Sequence, residues 1–348
     1  MVVHGRGEIG VAVQGAGNVA TEHLKAYLRN PGCRVVAIGS RTREGAAAKA
    51  RQVGLDPSEI GIHDDLDELL AQPDLDAISI CTPHARHAQE TIAAARAGKH
   101  ALIEKPVATN RDDLHAMDRA VREAGVRTVV SFVLRWNPSV LAAKAMRDEG
   151  FFGEPIYVQA DYWHSPEQSG YPGAAGRLRR ATIDAILSGG CHAVDLARYL
   201  MGSDVVEVTA LEATALDGLP RAANQVALVR FANGKAGKVS AITEPWIPYQ
   251  FNVDLLGTEG GLRDNRFYSR KLPGVLDWAT FPTILPNSGL VGHHPFQGEI
   301  DHFVECIRAG VESHASLRDA VNTHEACFAI SESSRAGGRP VAVPALPD

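Results

Sequence analysis

The sequence predicts an α/β protein of two domains: a doubly wound parallel sheet, then a region of strands joined by hairpin-like links. Three observations carry that prediction. Short apolar runs alternate with helix-period segments from Ile9 to Val133, the pattern of strands and crossover helices. One strand-to-helix turn reads Gly15-Ala16-Gly17-Asn18-Val19-Ala20. Beyond Pro155 the helix-period segments give way to strand-like runs, with Asn233-Gly234 as a strong hairpin turn.

The elements follow in order. Ile9–Gln14 is a buried-strand run, and Ala20, Leu24, Tyr27 and Leu28 fall at helical spacing after it. The turn between them has a physical reason at each position. Gly15 permits the tight turn, Gly17 lets the backbone approach a diphosphate, and small Ala20 lets helix and strand pack closely. Asn18 and Val19 lie in the turn before the helix of Thr21–Arg29, whose N-terminal free N–H groups and dipole favour an anion. The earlier Gly5-Arg6-Gly7-Glu8-Ile9-Gly10 fits the strict glycine pattern better. It precedes the strand instead of following it, so it is set aside as a flexible N-terminus.

Val35–Gly39 is the next strand. The ribose-facing position at its end holds Ser40, followed by Arg41 and Arg43. A hydroxyl and a planar cation suit a 2′-phosphate, which places NADP ahead of NAD. A solvent-facing arginine pair is the competing reading. Helices are expected over Ala46–Val53, over Leu66–Ala71 after Asp64-Asp65, and from Ala85 to Ala97 with Gly98 as terminator. Ala77–Cys81 is a strand closed by Thr82-Pro83, and Ala101–Ile103 is another. Asn110 caps a helix through Val121, and Thr128–Val133 is the sixth strand. Glu104 and Lys105 then sit at the carboxyl end of a strand, the edge where open α/β sheets bind ligands. By position alone, Lys105 is equally a reactive group or half of an ion pair with Glu104.

Composition narrows the function classes. The chain has 348 residues, 45% hydrophobic and 22% charged, more than one core usually serves. Domains are expected over 1–131 and 132–348. A net charge of -6 argues against nucleic acid or an anionic membrane surface as partner. Five scattered cysteines with no Cys-x-x-Cys pair suggest a reducing, cytoplasmic setting. No signal peptide and no transmembrane run is expected. His293, His294, Glu299 and His302 lack zinc-like spacing, and no metal is expected.

Together, the Gly15–Ala20 turn, Thr82-Pro83 with His87, Gly98-Lys99-His100 running into Glu104-Lys105-Pro106, and Gly190-Cys191-His192-Ala193-Val194-Asp195 resemble the Gfo/Idh/MocA oxidoreductases. These stretches span most of the chain. The resemblance implies a Rossmann domain followed by an α+β domain with an open, mostly antiparallel sheet, through which a homodimer or homotetramer would form. It implies hydride transfer between NAD(P) and a secondary alcohol or ketone of a sugar, polyol or related small molecule. It places Thr82, Pro83, His87, Glu104 and Lys105 along the cofactor, with a cis bond expected before Pro106. Lys105 would hold the substrate oxygen, and His192 would exchange the proton, as an imidazole can near neutral pH.

One position departs from the pattern. Many redox-active relatives have an aspartate four residues before the histidine, and here that residue is Ser188. Asp184, one turn earlier, reads as a helix-face charge. Arg135 and Trp163 are candidate substrate contacts. For Arg135 the competing reading is a pair with an acid, and for Trp163 it is core packing. Two further readings of the whole chain stand beside hydride transfer. One is a tightly bound NAD used transiently for net elimination, hydrolysis or epimerisation. The other is a non-catalytic dinucleotide-sensing regulator.

Overall fold

The structure, a computed structural model, describes residues 7–168 and 176–345. The N-terminal Gly5-Arg6 lies outside the described residues. The chain divides into two compact units, residues 1–133 with 295–321, and residues 134–294 with 322–348.

In the first unit the strands are β1 (Ile9–Gln14), β2 (Cys33–Gly39), β3 (Gly61–His63), β4 (Ala77–Ile80), β5 (His100–Ile103) and β6 (Thr128–Val130). Helices α1 (Asn18–Arg29), α2 (Arg43–Gln52), α3 (Leu66–Leu70), α4 (His84–Arg96) and α5 (Arg111–Ala124) connect them. All pairings are parallel, in the order β3-β2-β1-β4-β5-β6. Connections leave β1 toward one edge and then, from β3, cross to β4 and run to the other. The strand order therefore reverses between β1 and β4, and a crevice opens at their carboxyl ends. The strands are apolar because helices cover both faces; every residue of β1 and β4 is buried. Local caps fix the helix starts: Thr42, Asp65 and Asn110 each accept a backbone N–H from the first turn of their helix.

The sixth strand ends at Val130, three residues short of expectation. Its partner β5 stops at Ile103, so residues 131–133 have no ladder to join. The chain turns instead into a 3₁₀ segment, Val133–Trp136.

The second unit opens with α6 (Pro138–Asp148) and the long strand β7 (Pro155–Trp163). Helices α7 (Ala185–Ser188) and α8 (Cys191–Met201) follow. Then come β8 (Val205–Glu212), β9 (Asn224–Phe231), β10 (Ala236–Ile242), β11 (Gln250–Gly257), β12 (Gly260–Arg263), β13 (Arg266–Ser269) and β14 (Ala279–Thr280). Helices α9 (Phe296–Ala309) and α10 (Leu317–Arg335) and the strand β15 (Val341–Ala342) close the chain. Nine strands form one sheet in the order β14-β13-β12-β11-β7-β10-β9-β8-β15. It is antiparallel except for the pair β7–β10.

The run Gly261–Tyr268, strand-like in the sequence, is not one strand: Asp264 takes a left-handed φ of 53°, and Arg263 and Arg266 pair across a two-residue turn. Aspartate tolerates that conformation better than most residues. Nor does the chain divide into two sequential blocks. Helix α9 belongs to the first unit, where its buried Phe296, Ile300, Phe303 and Val304 pack on α1.

Candidate active site

The cradle at the carboxyl edge of the first sheet begins at Gly15, whose φ is +122°. A Cβ built there would lie 2.4 Å from the carbonyl oxygen of Cys81. Only glycine lets the ends of β1 and β4 approach this closely. Gly17 is the N-cap of α1, exposed and facing open space, and no side chain caps the helix. Asn18 is exposed, Val19 half-buried and Ala20 wholly buried. The first turn of α1 thus presents unused N–H groups and carries no acidic residue. That geometry and charge fit a dinucleotide diphosphate.

Ser40 follows β2 and is half-buried. The two arginines after it have different fates. Arg43 is bound to the carbonyl of Ile62 at 2.7 Å, to Asp64 at 3.0 Å and to Glu68 at 2.6 Å. Arg41 is exposed and makes no hydrogen bond or ion pair among the described residues.

Thr82 and Pro83 lead into α4 after β4. The Thr82 hydroxyl donates to Glu90 at 2.5 Å, and Arg86 holds the same carboxylate at 2.8 Å. His87 is 1% exposed. Its Nε2 lies 2.7 Å from the carbonyl of Thr82 and its Nδ1 2.8 Å from the carbonyl of Pro106. His87 therefore ties the loop after β4 to the loop after β5 from beneath. Both of its ring nitrogens thus face backbone carbonyls, and the side chain positions the two loops at the expected cofactor edge.

The peptide bond between Lys105 and Pro106 is cis. Glu104 is buried, and its carboxylate is held on several sides. The ring Nε2 of His23 lies 3.2 Å from one oxygen, and the backbone N–H of Lys105 donates to the other at 3.2 Å. Nδ1 of His23 lies 3.1 Å from the hydroxyl of Ser79, which is 2.7 Å from the hydroxyl of Tyr27. Burial works to raise the pKa of Glu104. The hydrogen bond and charge of His23, with the charge of Lys105, outweigh it and hold the carboxyl below its usual range. Glu104 is thus a fixed anion anchored in the core, beside the half-buried Lys105. An anion at this edge favours a cation near it, whether the lysine or an oxidised nicotinamide.

In the second unit, the residues around His192 differ from a single continuous helix. Helix α7 ends at Ser188, and Gly189-Gly190 separate it from α8. A Cβ on Gly189 would meet the Tyr162 hydroxyl at 2.5 Å, and one on Gly190 would meet the Cβ of Ala241 at 2.6 Å. The two glycines let this elbow settle onto β7 and β10. His192 sits in the first turn of α8 and is 4% exposed; its N–H bonds to Gly189, not to Ser188. Asp184 is not a helix-face charge. It is buried as the N-cap of α7, accepts the N–H of Ala222 at 3.2 Å and pairs with Arg335.

Arg135 takes the second of its two readings. Its guanidinium grips Asp195 through two bonds, at 2.8 and 2.5 Å, with both side chains buried, and it lies 4.6 Å from the ring centre of Tyr199. A guanidinium committed this way holds α8 in place. Trp163 is not brought to the elbow either. Its indole N–H donates to Ser240 at 3.3 Å, on the sheet face opposite Tyr162, as strand alternation requires. Tyr162 and His164 take the elbow side instead, joined at 2.8 Å, with the Tyr249 ring 5.7 and 5.2 Å from theirs. Burial pushes the Tyr162 phenol well above its usual range.

These features define a class, and comparison with known proteins agrees. The oxidoreductase family with an NAD-binding Rossmann fold, GFO_IDH_MocA, matches residues 9–132, and its C-terminal domain matches residues 140–263. The chain belongs to this family and is an NAD(H)-binding oxidoreductase. It is 27% identical to scyllo-inositol 2-dehydrogenase (NAD(+)) of Bacillus subtilis, over 95% of each chain. It is 32% identical to 1,5-anhydro-D-fructose reductase of Ensifer adhaerens, over 75% of this chain and 77% of that one. Among solved structures, levoglucosan dehydrogenase in complex with NADH superposes with a TM-score of 0.84 at 25% identity, over 97% of this chain and 99% of that one.

Proposed function

We propose that the protein transfers a hydride between a nicotinamide dinucleotide and a secondary alcohol or ketone carbon of a polyol or cyclic sugar. The observation that carries this reading is Lys105, half-buried at the carboxyl edge of β5 beside an anchored anion, in a sheet whose turn fits a dinucleotide. The compounds that the relatives are named for (inositol, anhydrofructose, levoglucosan) support the substrate class. Held along the Gly15–Ala20 turn, a nicotinamide dinucleotide would supply the hydride chemistry. The Lys105 ammonium holds the reacting oxygen and stabilises alkoxide charge, and the His192 imidazole takes or returns the proton. Ser188 and the Tyr162–His164–Tyr249 group offer hydroxyl and imidazole contacts to a polyol.

Ser40 and the uncommitted Arg41 support use of NADP as well as NAD, with the guanidinium meeting a 2′-phosphate. The outer face of the second sheet supports self-association. Leu211, Val226 and Leu228 lie there 62%, 42% and 63% exposed, and Leu211 and Val226 are cross-strand partners. Five free cysteines support a reducing, cytoplasmic setting.

The test is a panel of inositols, anhydrosugars and aldoses with NAD and NADP, followed by absorbance of the reduced nicotinamide. Turnover by wild type, with Lys105→Ala reduced at least about 100-fold while NADH binding by fluorescence is retained, is the expected result. Full turnover by Lys105→Ala on a good substrate would remove the lysine from the mechanism.

A further inference from the structure

The carboxyl ends of β2 and β3 hold a charged group that no step above uses. Arg43 opens α2, and its side chain reaches across to β3 and α3. Its Nε lies 3.0 Å from the Asp64 carboxylate. One terminal nitrogen donates to the carbonyl of Ile62 at 2.7 Å and the other to Glu68 at 2.6 Å. Each nitrogen of the guanidinium therefore has a partner. We propose that Asp64 and Glu68 determine cofactor specificity: they hold Arg43 in a latch that a 2′-phosphate must open, and so keep NADP affinity below what the arginine pair would otherwise give.

The latch lies at the strand ends that serve the adenosine half of a dinucleotide-binding sheet. With the diphosphate on α1, the end of β2 receives the adenosine ribose. There the backbone N–H of Ser40 donates to the carbonyl of His63, the last residue of β3, at 3.0 Å. The loops after β2 and β3 are thereby tied together, with Arg43 bound across them. The Ser40 hydroxyl turns toward the start of α2: a Cβ on Gly45 would lie 3.0 Å from it and 3.0 Å from the hydroxyl of Thr42, the N-cap. Ser40 and the exposed Arg41 are thus the first groups open to a 2′-phosphate, and Arg43 is the second cation of the loop. Asp64 and Glu68 oppose that phosphate in two ways. They occupy the planar fork that would otherwise grip its oxygens, and their own charges repel it. The neighbouring charges have other work. Asp65 caps α3 by accepting the N–H of Glu68 at 3.0 Å, and Glu44 pairs with Arg51 at 3.4 Å. Nδ1 of His63 lies 3.7 Å from the same Glu68 carboxylate. The latch is also one that an anion can open. The side chains of Arg43, Asp64 and Glu68 are 54%, 43% and 55% exposed, so water screens the pairs and they add little to stability. NAD, with a hydroxyl in place of the phosphate, leaves the latch closed.

This proposal rests on the reading of the Gly15–Ala20 turn as a dinucleotide cradle, and its test keeps the two apart. NADH and NADPH are titrated into the protein without substrate, and binding is followed by nicotinamide fluorescence. The double variant Asp64→Asn with Glu68→Gln should bind NADPH about tenfold more tightly than wild type, with NADH affinity within about twofold. In an Arg43→Gln background the same double substitution should gain about threefold or less, since only the loss of repulsion remains. Glu68→Gln alone should move NADPH affinity upward by about threefold, and so reads the latch if the double variant does not fold. An unchanged ratio of NADPH to NADH affinity in these variants, or an equal gain with and without Arg43, would overturn the proposal and leave the cradle standing. Binding of neither dinucleotide by wild type would overturn both.

Discussion

At the residue scale, charge state is set by what each side chain faces. His100 begins β5, and its Nδ1 accepts the backbone N–H of Arg127 at 2.8 Å. Burial, then the charge of Arg127, lower its pKa to about 4. The unfolded chain, with a histidine near 6.5, binds the proton more readily. Stability from this residue is therefore complete above about pH 6.5 and is lost as pH falls toward about 4. The difference amounts to about 3 kcal/mol at most. Urea unfolding at pH 7, 5.5 and 4 should show that loss, and His100→Asn, which keeps an acceptor but does not titrate, should flatten it. Arg41 is the other residue with a sharp expectation. Arg41→Asp should raise KM for NADP at least tenfold and leave KM for NAD within about twofold, since opposite charges near a phosphate act on only one of the two cofactors.

At the element scale, the strand-to-helix turn depends on one glycine. Gly15→Ala combines a backbone of φ +122° with a Cβ 2.4 Å from the Cys81 carbonyl. The ends of β1 and β4 would have to part. A loss of about 1–3 kcal/mol in stability and at least tenfold in NADH affinity is expected from thermal unfolding and fluorescence titration. This turn was legible in the chain because the strand, the glycines and the helix are contiguous. The elbow before His192 was only half legible. Gly189-Gly190 could be read as a helix start, but the break after Ser188 comes from close packing on Tyr162 and Ala241, far away in sequence. Likewise β6 ends early because β5 does, a matter of pairing and not of propensity.

At the scale of the whole molecule, the nine-stranded sheet has one face under α7 and α8 and, among the described residues, an opposite face where Leu211, Val226 and Leu228 are exposed. Its inner residues, such as Ala227, Val229, Val239 and Ala241, are buried, while Val226 and Leu228 on the other face stand open. Leu228→Asp should shift the protein to a smaller species in sedimentation velocity without altering the circular dichroism of the fold. An unchanged sedimentation coefficient would place any self-association elsewhere. Among the described residues no helix is long and apolar enough to cross a membrane.

Sequence alone determined the alternation of strands and helices, the glycine turn and the place of Lys105 at a strand's carboxyl end, because each is written in neighbouring residues. Nothing local in the sequence assigned helix α9 to the first unit. Tertiary structure decided what each side chain faces. It gave Arg135 to Asp195, turned Trp163 away from the elbow and Tyr162 toward it, and committed His87 to two carbonyls. It also brought Glu299 to Ser131, 168 residues earlier in the chain. No local pattern announces such a meeting, since a buried acid on an apolar helix face is explained only by the donor or acceptor that folding sets against it.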